Sequence, residues 1–265
     1  MSRRDEFKSV SKNPAKRFLD WKSNDKCFSF YDKENSQNVE VNLPFKFLVL
    51  KEMHTVKGWD DKSESGIYAN EVENIGKDPM TVKAFKGGTI AKGIYKEIKE
   101  VITQKGAHYS KSIYIMDENG EIANIQLKGA AVQAWGEFTQ KSRKRLGDEW
   151  VSVTGALDMK KGSVKYSVPV FAFSGSLDQT QDKNADARYA ELKDYFDGYL
   201  SERETTESEP VEKSKPFVDV ESKLFEKIKE KKEADPNITI ETILEHYNLS
   251  EAALEEFQAL EDIPF

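Results

Sequence analysis

Lys83-Ala84-Phe85-Lys86 places a cation and an aromatic ring on one face of an extended segment, with a second lysine beside them. Lys165-Tyr166 repeats the pairing next to the basic run Lys160-Lys161-Gly162. Such interleaving suits an unpaired polynucleotide, because lysine and arginine follow phosphates while flat rings stack on exposed bases whatever their identity. Trp59, Tyr68, Tyr114 and Lys128 extend the set of nominees, and Lys141, Arg143, Lys144 and Arg145 crowd four cations into five residues. Each nominee also has a plainer reading. Aromatic residues in strands commonly fill a core, Trp135 in its helical stripe reads as core, and cations at a helix C-terminus oppose its dipole.

Other chemistry is thinly supplied. Asp60-Asp61 and Asp117-Glu118 are paired carboxylates of the type that hold Mg²⁺ in a nuclease, yet both fall in predicted turns, where Asp and Glu are ordinary. No histidine base lies nearby in sequence, and there is no phosphate loop or nucleophile motif. One cysteine, Cys27, precludes an internal disulfide framework, and with only His54, His108 and His246 it cannot complete a four-ligand zinc site. The expectation is a protein without catalytic residues, cofactor or bound metal.

The elements that must position these residues alternate along the chain. Val39 to Phe47 reads as a half-buried strand that continues into Leu48-Val49-Leu50. Gly58 to Gly66 reads as a turn, with short strands at Ile67 to Val72 and Met80 to Phe85. Ile90, Ile94, Ile98 and Val101/Ile102 predict an amphipathic helix of about four turns. Tyr109 to Met116 and Glu121 to Lys128 flank Asn119-Gly120, the strongest hairpin signal in the chain. Gly129 to Arg145 predicts a second helix, and strands Trp150 to Leu157 and Val164 to Phe173 flank the basic tip Asp158 to Ser163. Short strands in hairpins, with a helix between strand groups, predict a mainly β chain with helical additions: an elaborated OB-fold barrel followed by an acidic helical or disordered C-terminal tail.

Charge follows the same division. Residues 1–175 carry 29 Lys+Arg against 23 Asp+Glu, and the remaining 90 carry 11 against 24, which together return the net charge of -7 over 265 residues. A mildly basic body thus bears an acidic tail, the asymmetry of a chain that faces a polyanion. The expected organisation is an N-terminal extension over 1–38, a nucleic-acid-binding core over 39–175 and a helix over 176–200 on or next to that core. An acidic flexible linker over 201–218, a small helical appendage over 219–260 and a tip over 261–265 follow. No segment approaches about 18 uninterrupted apolar residues and no apolar stretch follows the charged start, so a protein without membrane contact and of cytoplasmic location is expected.

The tip, Glu261-Asp262-Ile263-Pro264-Phe265, offers a Pro-fixed turn, an aromatic ring and a carboxylate to one pocket, with two acids to steer its approach to a basic rim. It resembles the Asp-Asp-Asp-Ile-Pro-Phe terminus of bacterial single-stranded DNA-binding proteins, with Glu261 in place of one Asp. More loosely, Asn13-Pro14-Ala15-Lys16, Leu43-Pro44-Phe45-Lys46-Phe47 and the Lys160-Lys161-Gly162 to Tyr166 and Pro169 hairpin are similar to single-stranded DNA-binding proteins of bacterial viruses. The resemblance implies sequence-independent binding of single-stranded DNA in replication, recombination and repair, with the tip recruiting partner enzymes. A virus-encoded protein of this kind works in the host bacterial cytoplasm. Two other readings remain open on sequence: an adaptor or regulator of the replication machinery that does not coat DNA, and a metal-dependent nuclease built on the paired carboxylates.

Overall fold

A computed structural model of the chain describes residues 13–207, 217–220, 222–234 and 238–261, in two compact units that divide between residues 201 and 202. In the first unit, strands β1 (Arg17–Lys22), β2 (Cys27–Asp32), β3 (Gln37–Val41), β4 (Phe45–Asp60), β5 (Ser65–Ala69), β6 (Pro79–Ala84) and β7 (Gly88–Ile94) precede helix α1 (Tyr95–Gln104). Strands β8 (Ala107–Asp117) and β9 (Ile122–Lys128), helix α2 (Ala130–Gln140), strands β10 (Glu149–Lys161) and β11 (Val164–Ser176) and helix α3 (Gln179–Glu207) follow. The eleven strands form one sheet in the order β3-β2-β1-β9-β8-β4-β5-β6-β7, and β10 pairs both β11 and the first residues of β4. The mainly β chain with helical additions is therefore observed.

β4 is the hub. From Phe47 to Gly58 it pairs antiparallel with β8, its start pairs with β10 and its end with β5. At that end the backbone comes so near to the start of β8 that a Cβ on Gly58 would lie 2.2 Å from the Gly106 carbonyl oxygen, and one on Gly106 2.4 Å from that of Trp59. Two glycines are what permit the approach.

Several boundaries differ from the sequence expectation. The supposed extension over 1–38 contains β1 and β2, and β1 lies parallel to β9 in the middle of the sheet, with Leu19 and Phe28 in the core; residues 1–12 lie outside the described residues. The strand expected from Val39 to Leu50 is two strands, broken at Asn42-Leu43-Pro44, where proline has no N–H to donate. The expected turn at Gly58 is instead the continuation of β4. The first part of the expected helix is extended, forming β7, and α1 starts at Tyr95. Ile90 and Ile94 are four residues apart, a spacing that satisfies both the helical and the strand period, and the free edge of β6 decides between them.

The core has two centres. Phe47, Ile113, Ile125 and Val151 meet Leu19 and Phe28 inside the curved part of the sheet, where Trp135 of α2 closes one end. Val56, Ile67, Met80 and Val82 pack under Ile98 and Ile102 of α1. On the opposite face of β4 and β8, Leu192, Tyr195 and Phe196 of α3 cover Met53 and Tyr114. α2 is also fixed by a polar contact, since Trp135 Nε1 donates to Glu52 Oε1 at 2.7 Å and Arg143 Nη2 to Glu52 Oε2 at 2.7 Å. Burial pushes the Glu52 carboxyl up, but the Trp135 hydrogen bond with the charges of Lys111 and Arg143 outweighs it and leaves the group below the usual carboxylate range.

The second unit contains helices α4 (Lys223–Ala234), α5 (Ile240–His246) and α6 (Glu251–Glu261), with β12 (Phe217–Val218) parallel to β13 (Asn248–Leu249). Val218, Phe225, Ile228, Ile243, Ala253 and Phe257 form its own core, and Thr239 and Ser250 cap α5 and α6 through hydrogen bonds from the Thr242 and Ala253 amides. The expected linker starts as helix, because α3 continues to Glu207; residues 208–216 lie outside the described residues. Among the described residues no helix is long and apolar enough to cross a membrane.

Candidate nucleic-acid interface

The β10–β11 hairpin extends beyond the sheet and faces the β1–β2 turn. Lys160 pairs with Lys165 and Lys161 with Val164, so the reversal is the two residues Gly162-Ser163, with Gly162 at a φ of 60°. This is shorter than the connection expected from Asp158 to Ser163. The two walls are tied at Ser167, whose amide donates to Ser23 Oγ at 2.6 Å and whose hydroxyl donates to the Ser23 carbonyl at 2.6 Å. Trp21 Nε1 donates to the Ser167 carbonyl at 3.0 Å.

Three clefts flank the hairpin, and two of them form the groove between the walls. A cleft of about 680 Å³ is lined by Asp20, Lys22, Gln126 and Lys128 on the sheet and by Lys161 and Tyr166 on the hairpin, with the start of α2 at its floor. A second, of about 570 Å³, lies between Lys26 and the hairpin residues Lys160 and Lys165. A third, of about 300 Å³, is more apolar and lies between α2 and Leu157, Met159 and Val170. Tyr166 borders all three. The acids of the groove are partly neutralised: Asp158 accepts from Lys26 at 2.7 Å, and Asp20 lies 3.5 Å from Lys128.

A second group of nominees gathers on the face of β4, β5 and β6. Register sets Lys57 opposite Tyr68 and Tyr68 opposite Lys83, while Trp59 lies opposite Gly66, whose carbonyl accepts from the Phe85 amide. Alternation turns Ile67, Val82 and Ala84 into the core and leaves Trp59, Tyr68 and Phe85 at 56%, 46% and 79% exposure. Lys86 is exposed at the following turn. Lys57 joins this face to the groove, since its ammonium donates to Gln126 Oε1 and lies 3.9 Å from Asp20 Oδ2. Burial lowers the Lys57 pKa, and the Asp20 charge opposes that shift.

One nominee is corrected. Tyr114 is fully buried under α3, where its ring packs edge-on against Phe196. Its hydroxyl donates to Glu71 Oε2 at 2.6 Å and accepts from Asn13 Nδ2 at 3.0 Å, so it cannot stack on a base. Burial pushes the Glu71 carboxyl up, against the hydrogen bonds of Ser112 and Tyr114 that favour its charge. Replacing Tyr114 by Phe should lower stability by about 1–3 kcal/mol, because two half-buried groups, Glu71 and Asn13, lose this partner, and leave oligonucleotide affinity unchanged. Thermal melts paired with a binding titration check both halves of that expectation.

Arg143 and Arg145 stay at the surface and each holds an ion pair. Arg143 serves Glu52, while Arg145 forms a bidentate pair with Glu149 at 2.6 Å for each bond and stacks over Phe173, 3.9 Å from the ring centre. Lys141 and Lys144 remain exposed just beyond the C-terminal end of α2, a helix whose Glu137 and Phe138 line the third cleft. The paired carboxylates also have structural work. Asp60 accepts from the Ser63 hydroxyl at 2.6 Å, and Asp117 binds Arg17 and caps the turn through the Asn119 and Glu121 amides at 2.9 Å.

Sequence reasoning missed Trp21, Lys22 and Lys26, which enter the groove only because β1 joins the sheet beside β9. It also missed Lys57, although Val56-Lys57-Gly58-Trp59 repeats the cation and aromatic alternation of Lys83-Ala84-Phe85. Of the tip, Glu261 ends α6, and Asp262, Ile263, Pro264 and Phe265 lie outside the described residues. Comparison with protein-family models, curated proteins and solved structures returns no match to the chain.

Proposed function

We propose that the first unit binds single-stranded DNA without reading its sequence, holding the strand in the groove between the β1–β2 turn and the β10–β11 hairpin. One observation carries the reading: Lys22, Lys26, Lys128, Lys160, Lys161 and Lys165 line two adjoining clefts together with Trp21 and with Tyr166, the ring that borders all three clefts. Cations at that density follow a phosphate chain, and a ring shared by adjoining clefts offers a stacking face that tolerates any base. All three clefts are partly open to solvent, as a site for a polymer must be.

An OB-type barrel is the fold that accompanies this reading. β4, β8, β9, α2, β10 and β11 keep the strand, strand, strand, helix, strand, strand sequence of such a barrel, with β5 to α1 as an insertion after its first strand. β1 then occupies the place beside β9 where the last barrel strand would complete the wall, and the Ser23–Ser167 bonds link it to β11. The hairpin between the last two barrel strands becomes one lip of the groove.

Salt dependence tests the proposal. Each phosphate neutralised on a single strand contributes about -0.7 to the slope of log affinity against log salt, so engagement of five or six gives a slope near -4. Titration of labelled oligo(dT) over a range of salt reads that slope, and a flat response rejects the groove as a phosphate track. Duplex of the same length should bind much more weakly.

The tip is proposed to recruit replication, recombination and repair proteins, acting in the cytoplasm. Removing Ile263, Pro264 and Phe265 should leave oligonucleotide affinity intact or tighter and abolish partner capture, whereas loss of DNA binding would contradict the division of labour.

A further inference from the structure

We infer that the face of β4, β5 and β6 that carries Trp59, Tyr68 and Phe85 is a second strand-binding segment, so that one DNA strand leaves the groove and continues across this platform. The inference rests on the groove reading and extends it to a region separate in the fold. Three features argue for unpaired polynucleotide as the occupant.

First, the rings have no structural task that explains their position. Phe85 is 79% exposed at the end of a strand whose Met80, Val82 and Ala84 already fill the core beneath it, and Trp59 and Tyr68 likewise face away from that core. Second, the rings are interleaved with cations on the same face, Lys57 and Lys83 flanking Tyr68 across the strands and Lys86 following Phe85. His108 stands opposite Lys57 on the far side, in β8. The acids at this end are Asp61 and Glu64, both exposed in the β4–β5 turn, while Asp60 is turned inward to Ser63. A protein docked through aromatics alone would have no need of the two lysines that stand in register with Tyr68.

Third, the platform is continuous with the groove. Lys57 contacts Gln126 and approaches Asp20, both of which line the large cleft, and Lys128 stands beside them. From β9 through β8, β4 and β5 to β6 is four strand spacings, about 19 Å at about 4.8 Å each. A stacked strand rises about 3.4 Å per nucleotide, so roughly six nucleotides span the gap. Short oligonucleotides should therefore be satisfied by the groove alone, and longer ones should gain affinity from the platform.

The test compares dT6 with dT20, both fluorescein-labelled, by anisotropy at one salt concentration. Wild type should bind dT20 more tightly than dT6. Tyr68→Ala/Phe85→Ala should lower dT20 affinity by on the order of tenfold or more, leave dT6 within twofold, and leave the thermal melt unchanged because both side chains are exposed. Tyr68→Phe/Phe85→Trp should restore dT20 binding, since any flat ring serves. Lys160→Glu/Lys161→Glu should weaken both lengths. If the alanine pair binds dT20 as wild type does, or weakens both lengths equally, the platform is not a separate segment and the inference falls while the groove stands. If wild type binds neither length, the groove reading falls with it.

Discussion

Reversing the charge of Lys160 and Lys161 to Glu should lower affinity for oligo(dT) by on the order of 100-fold at about 0.1 M salt and make the salt slope less steep by about 1.4, two phosphate contacts at about 0.7 each. Both lysines are exposed on a hairpin that projects past the sheet, and neither holds a partner whose loss would unsettle the fold. The melting temperature should therefore stay where it is, which separates a binding defect from a folding defect. Tyr166→Ala, made alongside, should reduce affinity with little change in slope, because a ring contributes stacking and no counterion release. An unaltered slope in the lysine variant would place the phosphates elsewhere on the molecule.

The second large effect concerns stability. Glu52→Ala should destabilise the first unit by about 3 kcal/mol, since the carboxylate is buried to 8% exposure and its removal strands the Trp135 indole N–H and leaves Lys111 and Arg143 without their common counter-charge. At roughly 2–4 °C per kcal/mol for a unit of this size, the melting temperature should fall by about 10 °C. The pH dependence follows from the depressed pKa of this carboxyl. A carboxylate held below its unfolded value of about 4.3 contributes its stabilisation fully above that value and loses it as pH falls through the folded pKa. The gap between wild type and variant should therefore narrow as pH falls below the ordinary carboxylate range. Denaturant melts at a series of pH values would show the gap closing, and a constant gap would mean that Glu52 acts through packing alone.

What the sequence made legible was local. Asn119-Gly120 marks its hairpin because a tight reversal requires positive φ, and Gly120 has a φ of 75° there. The hairpin tip, Lys160 to Tyr166, was legible for the same reason, and so was the alternation in Lys83 to Phe85. What remained hidden depends on pairings between distant residues. Arg17 pairs with Ala123 in a parallel ladder, and nothing within 17–22 states that this short segment is a central strand instead of an extension. Tyr114 was misread because alternation assigns it to a face but cannot say that α3 will cover that face. That Arg143 would reach Glu52, 91 positions away, was equally hidden, whereas the Arg145–Glu149 pair is local.

The tie between Ser23 and Ser167 spans 144 positions of the chain, and it has a consequence for biosynthesis. A ribosome adding about 5–20 residues per second would need roughly 7–30 s between making one wall of the groove and making the other. Throughout that interval Trp21, Phe28 and the lysines around them emerge with no opposing lip, and a nascent polypeptide arrested before residue 149 would present cations without a channel. The groove itself should thus form late and abruptly during translation, when the last hairpin folds back onto the first, and on the proposed reading strand binding would arrive with it.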